Sequence, residues 1–325
     1  MDAIFGVKTS GSGREVQLTQ KIPNKMLQEL LELLEKLDKI NKEENTCPAK
    51  HEEGEGSRED EMAKGSLKNA QSLMNKADKC NQAYINEKLD FLSVVETKAN
   101  MKNEKKKWET IGTLGDSAPC TNCFMQDREG RGGGGVANFV SDRCEPEFVY
   151  STPKRTFELV ANTLQHPKWK SPAQQITVYR PPNTDKPMTV SDRIEFFIEF
   201  FEVYRHISKN YEHILLNGDF NFHYENDKFS GTLLFKLFLN IVGLKQHVDE
   251  ITRKSANGGH ILDHVCTSGL EVHDLKVGKT QMADHYDVSF KIRPKISRDR
   301  KEQIRRKLTF IVRWLRKNGY LPPQE

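Results

Sequence analysis

The sequence predicts an α/β fold, because short apolar runs typical of buried strands alternate with patterns typical of amphipathic helices. Four runs have the length and composition of buried strands: residues 91–95, 135–140, 175–179 and 213–217. Helical patterns precede or separate them at about residues 70–88, 189–210 and 229–242. Glycine and proline residues bound several of these segments, as is usual at the ends of such elements.

The length and composition of the chain indicate one large domain with polar flanks. The chain has 325 residues, of which only 36% are hydrophobic, so part of it is expected to lie outside a packed core. We predict a folded domain over residues 63–292, with an extension of residues 1–62 before it and a tail of residues 293–325 after it. The net charge of +4 is too small to identify a partner by itself.

The sequence favours an intracellular protein that does not cross a membrane. Its N-terminus lacks a basic start and a long apolar run, and no segment approaches the roughly 18 apolar residues of a membrane span. The six cysteines are scattered, so reduced thiols are expected. Cys120 and Cys123 form a single CxxC pair, which falls short of a four-ligand structural zinc site.

The extension of residues 1–62 is predicted to contain an amphipathic helix at residues 23–40. Leucines recur there at three- and four-residue spacing: Leu27, Leu30, Leu31, Leu34 and Leu37. This helix would either pack on the same chain or form a short coiled coil through which the chain self-associates. Residues 41–62 are rich in Glu, Lys and Gly and are expected to form a disordered linker.

The tail of residues 293–325 is expected to form a basic helix. Apolar residues between Ile304 and Leu315 share one face, and arginines, among them Arg305 and Arg306, surround that face. The helix would pack on the domain, or its arginines would contact nucleic-acid phosphates. We prefer DNA to an acidic membrane surface as the partner.

Acidic and amide side chains lie at or beside the predicted strand ends. Glu96 follows the first strand, and Asp219 and Asn221 follow the fourth. Asp284 and His285 precede a further apolar run. Strand ends face the crevice where α/β proteins place their ligands. Hydrolysis of a phosphodiester needs a divalent cation to neutralise charge and a base to activate water, so these residues indicate a metal-dependent phosphate site.

Six short motifs follow one another along the chain. They are Asn69, Glu96-Thr97, Val178-Tyr179-Arg180-Pro181-Pro182-Asn183, Gly218-Asp219-Phe220-Asn221, Leu262-Asp263 and Ala283-Asp284-His285. In that order they resemble the endonuclease/exonuclease/phosphatase superfamily, which is also called deoxyribonuclease I-like. Residues 69–78 and 130–137 are similar to segments of the endonuclease domain of LINE-type (non-LTR) retrotransposons. The resemblance covers about residues 66–292, and it is the combination of motifs that makes it specific.

The resemblance implies a fold, a reaction and a cofactor. The fold would be a four-layer α/β sandwich with two facing sheets and outer helices. The reaction would be DNA nicking by in-line attack of water on phosphorus, with Mg²⁺ or Mn²⁺ as cofactor, leaving a 3′-hydroxyl. Three alternatives stay open: an abasic-site endonuclease, a phosphatase for a small substrate, and an inactive module that binds nucleic acid or a protein partner.

The resemblance also implies roles for the metal and water residues. Glu96 would bind the metal, with Asn69 close to the metal and the scissile phosphate. Asp284 would add to the shell of the metal or the water. Asp219 would align or deprotonate the attacking water, and Asn221 would hold Asp219 and the phosphate.

Further roles concern the phosphate and the leaving group. Tyr179 would hydrogen-bond the phosphate or assist the leaving group, and the neighbouring Arg180 is expected to contact nucleic acid. His285, oriented by Asp263, would stabilise the charged transition state. This last pairing is chemically sensible without the resemblance, because a carboxylate on one ring nitrogen fixes the tautomer and raises the basicity of the imidazole.

The sequence departs from the family pattern at several positions. Residues 57–66 contain almost nothing to bury where an apolar strand should precede Asn69, so we expect this strand to be missing or replaced by another segment. Gln71 replaces an arginine of the pattern, and Ala283 replaces a serine. His223 and His264 match no motif and are expected to be ordinary surface or supporting residues. No reverse transcriptase follows the domain, so a detached copy of the nuclease is expected.

Overall fold

A computed structural model of the chain describes residues 5–10, 13–18, 61–99, 122–130, 132–182, 190–255, 258–279 and 283–295. Strands β1 (Phe5–Ser10) and β2 (Gly13–Leu18) form an antiparallel hairpin, which was not predicted from the sequence. The predicted helix at residues 23–40, nearly all of the predicted linker, and Arg305 and Arg306 of the predicted basic helix lie outside the described residues. Within them, no helix combines the length and the apolar character needed to cross a membrane.

Two mixed six-stranded sheets make up most of the described structure. Sheet A contains β3 (Ala63–Asn69), β4 (Phe91–Val95), β5 (Asn122–Gln126), β6 (Val136–Val140), β13 (Leu270–Lys279) and β14 (Tyr286–Pro294), in the order β13-β14-β3-β4-β6-β5. Sheet B contains β7 (Phe148–Pro153), β8 (Glu158–Leu164), β9 (Ala173–Tyr179), β10 (His213–Asp219), β11 (Lys245–Gln246) and β12 (Asp263–Ser268), in the order β11-β12-β10-β9-β8-β7. The four strands predicted from the sequence are present close to their predicted bounds.

Helices cover the outer faces of both sheets. Helix α1 (Ala77–Glu87) packs on sheet A, and α2 (Val190–Ser208) and α3 (Ser230–Ile241) pack on sheet B through a cluster rich in phenylalanine. A third apolar cluster, which includes Phe91 and Leu215, fills the space between the sheets. The four-layer α/β sandwich implied by the resemblance is therefore confirmed.

Strand β3 corrects the expectation that the segment before Asn69 lacks a strand. It lies inside sheet A, parallel to β4 on one side and antiparallel to β14 on the other. A Cβ at Gly65 would lie 2.0 Å from the ring of Phe91, so the glycine makes room for that buried ring. Lys68 is 1% exposed, and its charge is paired with Asp287 at 2.6 Å. A segment without an apolar run can form this strand because the Phe91 ring fills the space beside Gly65 and Asp287 compensates the buried charge of Lys68.

A buried polar network joins the two sheets. Ser93 Oγ of sheet A accepts hydrogen bonds from Gln175 Nε2 and Asn217 Nδ2 of sheet B, each at 2.8 Å. The hydroxyl of Thr177 on sheet B donates to Asn138 Oδ1 on sheet A at 2.6 Å. All five side chains are fully buried. Because a buried polar group that loses its partner is costly, this network fixes the register of one sheet on the other.

We predict that Gly65→Ala lowers the free energy of unfolding by about 1–3 kcal/mol, because the new methyl group must displace the buried Phe91 ring. Gly278→Ala is the matched control, since no atom lies within 4 Å of its Cβ position, and it should change that free energy by less than about 0.5 kcal/mol. Chemical denaturation measures both variants. Equal stabilities would show that Gly65 does not make room for Phe91.

Candidate active site

The predicted site residues lie at strand ends along one edge of the sandwich. Asn69 ends β3, Glu96 follows β4, and Asp219 ends β10. Asp263 begins β12, which runs antiparallel to β10, and His285 precedes β14, which runs antiparallel to β3. The starts of the antiparallel strands therefore meet the ends of their neighbours, and both sheets contribute to the same edge.

Asn69 connects the carboxylates of the two sheets. Its Nδ2 donates to Glu96 Oε1 and to Asp219 Oδ2, each at 3.0 Å, while its Oδ1 accepts from the backbone N–H of Gln71 at 3.1 Å. Asn69 and Asp219 are each 1% exposed, whereas the side chain of Glu96 is 15% exposed. The amide therefore holds one accessible carboxylate beside one buried carboxylate.

The chain turns sharply around Asp219. Gly218 has φ +141°, and a Cβ there would lie 1.9 Å from the carbonyl oxygen of Val178, so only glycine fits. Asn221 has φ +49°, a left-handed conformation that asparagine tolerates better than most residues. Its backbone N–H donates to Asp219 Oδ1 at 2.9 Å, and its side chain donates to the carbonyl of Arg180 at 2.7 Å. The turn thereby fixes the direction of the Asp219 carboxylate.

His285 and Asp263 form a buried ion pair. His285 Nδ1 lies 2.7 Å from Asp263 Oδ2, and His285 Nε2 lies 4.0 Å from Asp219 Oδ2. Burial alone would lower the pKa of His285, but the attraction of Asp263 and Asp219 outweighs it and raises that pKa to about 9. His285 is therefore a cation at neutral pH, with Nε2 directed toward Asp219.

Asp219 and Glu96 differ in the chemistry they can provide. Burial raises the pKa of Asp219 well above its usual range, and repulsion from Asp263 adds to the shift, so Asp219 is a stronger base than an exposed aspartate. Ligand atoms of Glu96, Asp219 and His285 all lie within 4.8 Å of one another. A protonated imidazole has no lone pair for a metal. Glu96, a partly exposed hard-oxygen donor, is therefore the residue of this group that best fits a divalent cation.

Thr252 aligns the two segments that contain Asp263 and His285, although it was not predicted from the sequence. Its Oγ1 accepts hydrogen bonds from the backbone N–H groups of Leu262 at 2.9 Å and Asp263 at 3.0 Å. Its carbonyl oxygen accepts from the N–H of Tyr286 at 2.6 Å. A single threonine in a loop has no distinctive sequence signal, so only the fold reveals this role.

Tyr179 lies at the end of β9 and is 4% exposed. Burial raises its pKa, and the charges of Glu96 and Asp219 raise it further, so the phenol can donate a hydrogen bond but cannot act as a base at neutral pH. The guanidinium of Arg128 lies 5.6 Å from its ring centre and is held by Glu158 through hydrogen bonds of 2.6 and 3.0 Å. Arg128 and Glu158 were not predicted, because neither belongs to a recognised motif.

Comparison with known proteins identifies the fold. No protein-family model matches the sequence, and no curated protein matches it. Among solved structures, the AP endonuclease LMAP from Leishmania major has a TM-score of 0.56 and 15% identity, covering 72% of this chain and 89% of that chain. The human Nocturnin catalytic domain has a TM-score of 0.52 and 12% identity, covering 72% and 94%. The chain has the deoxyribonuclease I-like fold.

A third protein agrees with this assignment. The 3′-5′ exonuclease NExo from Neisseria meningitidis has a TM-score of 0.52 and 16% identity, and the match covers 71% of this chain and 99% of that chain. At such identities the likeness establishes the fold alone. The roles of individual residues in this deoxyribonuclease I-like domain depend on its own geometry.

Asp284 lies beside the acidic site of the deoxyribonuclease I-like domain. Its Oδ2 accepts from Arg253 Nε at 2.9 Å, and its Oδ1 accepts from the side-chain amide of Gln71. Burial would raise the pKa of Asp284, but the hydrogen bond and charge of Arg253 lower it below its usual value. Among the described residues, Asp284 is not in the group formed by Glu96, Asp219 and His285. Its assignment to the metal shell therefore stays a prediction.

Arg180 was expected to contact nucleic acid, but the structure buries its side chain among apolar residues. Arg180 is 3% exposed, its guanidinium lies 4.3 Å from the ring centre of Phe222, and its Nη1 donates to the carbonyl of Phe220 at 3.1 Å. Burial lowers its pKa to about 10. Successive residues of an extended chain point to opposite faces. Tyr179 therefore faces the space between the sheets, and Arg180 faces the helices.

We predict that Asp263→Asn lowers the pKa of His285 well below about 9, because the largest attraction that opposes burial is removed and only that of Asp219 is left. Titration of the histidine ring signals by NMR measures this change. Asp227→Asn is the control: it removes a carboxylate that pairs with Lys236 outside the site, and it should leave the pKa of His285 unchanged.

The raised pKa of His285 also makes the stability of the fold depend on pH. Because the pKa of His285 is higher in the folded chain than its ordinary 6.5, protonation of His285 stabilises the fold fully below pH 6.5, and this contribution is lost as the pH rises through about 9. The free energy of unfolding should therefore fall more steeply over this range in the parent chain than in Asp263→Asn. Parallel pH profiles would show that the ion pair does not set the pKa.

Proposed function

We propose that the domain is a divalent-metal-dependent phosphodiesterase that nicks DNA, derived from the endonuclease of a LINE-type retrotransposon. One observation carries this proposal: Asn69 holds Glu96 and Asp219 side by side, and the cationic His285 faces Asp219 from 4.0 Å. An anionic phosphodiester requires a cation site, a base and a positive group near its oxygens. Glu96, Asp219 and His285 would provide them in that order.

Glu96 would hold the metal ion in this mechanism. Its side chain is partly exposed, and Asn69 fixes one of its oxygens, so the carboxylate is accessible and oriented. Mg²⁺ and Mn²⁺ prefer oxygen ligands, and Mg²⁺ usually takes only one or two protein carboxylates. When bound, the ion neutralises charge on the phosphate.

Asp219 would take the proton from the attacking water. Its raised pKa makes it a suitable base, and the hydrogen bonds from Asn69 and Asn221 aim its carboxylate. A water molecule aligned by Asp219 would attack phosphorus in line with the bond to the 3′-oxygen, which then leaves.

His285 and Tyr179 would act on the phosphate and the leaving oxygen. His285 Nε2 would donate to a phosphate oxygen whose charge grows in the transition state, and Asp263 stabilises the imidazolium. Tyr179 stays protonated and would donate a hydrogen bond to the leaving 3′-oxygen, which takes its proton from solvent water. The buried setting strengthens these interactions, because little water competes for them.

Two observations favour DNA as the substrate. The segments at residues 69–78 and 130–137 are similar in sequence to LINE-type endonucleases, which nick DNA. In addition, one structure of NExo, which shares the fold, holds a product DNA hairpin. Both support the proposal without deciding between intact and damaged DNA.

We predict that the purified chain converts supercoiled plasmid to the nicked form with Mg²⁺ and not with excess chelator. Asp219→Ala and His285→Ala should each lower the rate by about 10²–10⁴-fold, because each removes a group that acts in proton transfer or charge stabilisation. Asp227→Asn, outside the site, should nick at the parental rate. A parent chain that binds plasmid without nicking it would instead identify an inactive binding module.

The preferred substrate can be tested with two labelled duplexes that differ by one abasic site. We predict that the intact duplex is nicked at least as fast as the abasic one, and that a DNA polymerase extends the nick, because the 3′-oxygen leaves as a hydroxyl. Strong preference for the abasic duplex would indicate a repair-type endonuclease. Nicks that cannot be extended would contradict the proposed direction of cleavage.

A further inference from the structure

We propose that His223, Glu225 and His260 form a second metal site, specific for zinc or a similar transition metal and separate from Glu96. His223 and Glu225 follow the turn at Asn221, and His260 lies in the loop that precedes β12. His260 is 35 residues from Glu225 in sequence, but the fold brings its side chain next to those of His223 and Glu225. None of them matched a catalytic motif of the sequence.

The three side chains bring their ligand atoms close together, and the two imidazole rings are stacked, so a ring must turn before both can bind one ion. One ligand atom from each lies within 4.8 Å of the other two. The rings of His223 and His260 face each other with centroids 3.8 Å apart and planes inclined by 24°. His260 Nδ1 lies 2.7 Å from Glu225 Oε1, while Glu225 Oε2 accepts from the backbone N–H of Ile261 at 3.1 Å. Backbone contacts therefore already orient the carboxylate.

The donor set determines the metal. Two imidazoles and one carboxylate are a common ligand set of zinc, whereas Mg²⁺ prefers oxygen ligands alone. In a tetrahedral zinc site with bonds of about 2.0–2.1 Å, neighbouring ligand atoms lie about 3.4 Å apart. Binding therefore requires the 2.7 Å contact between His260 and Glu225 to open and the His260 ring to turn out of its stack on His223. Both side chains have room to move on the solvent side, since His260 is 32% exposed and Glu225 is 36% exposed. A water molecule would complete the coordination.

The site is connected to the catalytic histidine through the backbone. Arg253 and His260 exchange backbone hydrogen bonds of 3.0 and 2.8 Å. Arg253 also forms a β-bridge with His285, and its side chain binds Asp284. A metal bound by His260 would therefore join the segment after β10 to the loop that lies against His285. Its expected role is to hold this loop in place.

Zinc binding can be measured on the full chain without any assay of nuclease activity. The chain is stripped with a chelator, kept reduced, and titrated with ZnCl₂ in the presence of excess Mg²⁺ by calorimetry. We expect one zinc equivalent that His223→Gln and His260→Gln each weaken by more than about 100-fold, because each removes a direct ligand. Glu96→Gln and Cys120→Ser are the matched controls, and each should keep this equivalent.

Thermal unfolding distinguishes loss of the site from loss of the fold. Without metal, His223→Gln and His260→Gln should unfold at nearly the parental temperature. Zinc should raise the unfolding temperature of the parent and of neither of these two variants. With Co²⁺ in place of zinc, the parent should show visible absorption without a thiolate charge-transfer band. Equal zinc binding by the parent and both glutamine variants would overturn the proposal, as would loss of the equivalent in Glu96→Gln or Cys120→Ser.

Discussion

The buried hydrogen bonds between the sheets are the constraint on which the rest of the domain depends. Each unpaired buried polar group costs about 1–3 kcal/mol, so breaking the bonds made by Gln175, Asn217 and Thr177 would use a large part of a typical domain stability of about 5–15 kcal/mol. Hydrogen bonds have narrower limits of distance and angle than apolar contacts, so they restrict the relative position of the sheets further than packing alone does. Here the relative position is fixed, and residues of different sheets can meet with hydrogen-bond accuracy.

Two hydrogen bonds at the edge that contains Asp219 depend on this fixed position of the sheets. Asn69 of sheet A reaches Asp219 of sheet B, and His285 beside sheet A reaches Asp263 of sheet B. The first contact places the buried carboxylate of Asp219 beside the more exposed carboxylate of Glu96, and the second maintains a buried positive charge on His285. Opposite charges at this edge lie close together in a setting with little water, where their interaction is strong. A shift of the sheets would therefore change the position and the protonation of the site together.

The sequence could predict those parts of the fold that depend on local pattern and on recognisable motifs. Apolar runs gave β4, β6, β9 and β10, and the order of motifs gave the four-layer sandwich. Strand β3 could not be predicted, because a glycine at position 65 weakens a strand pattern in the sequence. It fits inside the sheet only because the Phe91 ring of β4 occupies the space of the missing side chain. Arg180 was expected to contact nucleic acid, since nothing in the sequence shows that Phe222 covers its guanidinium. Thr252 acts through long-range backbone contacts that leave no local pattern.

The order of the strands along the chain has a consequence for biosynthesis. Among the described strands of sheet A, β3 leaves the ribosome first and its partner β14 last, and the described strands of sheet B are made between them. Until residues 286–292 emerge, β3 has an open edge that can pair with another chain. His285 arrives together with that final strand. The nascent domain therefore closes this strand edge and completes the group of Glu96, Asp219 and His285 in the same step, and translation that stops short of this strand leaves an unpaired edge that favours aggregation.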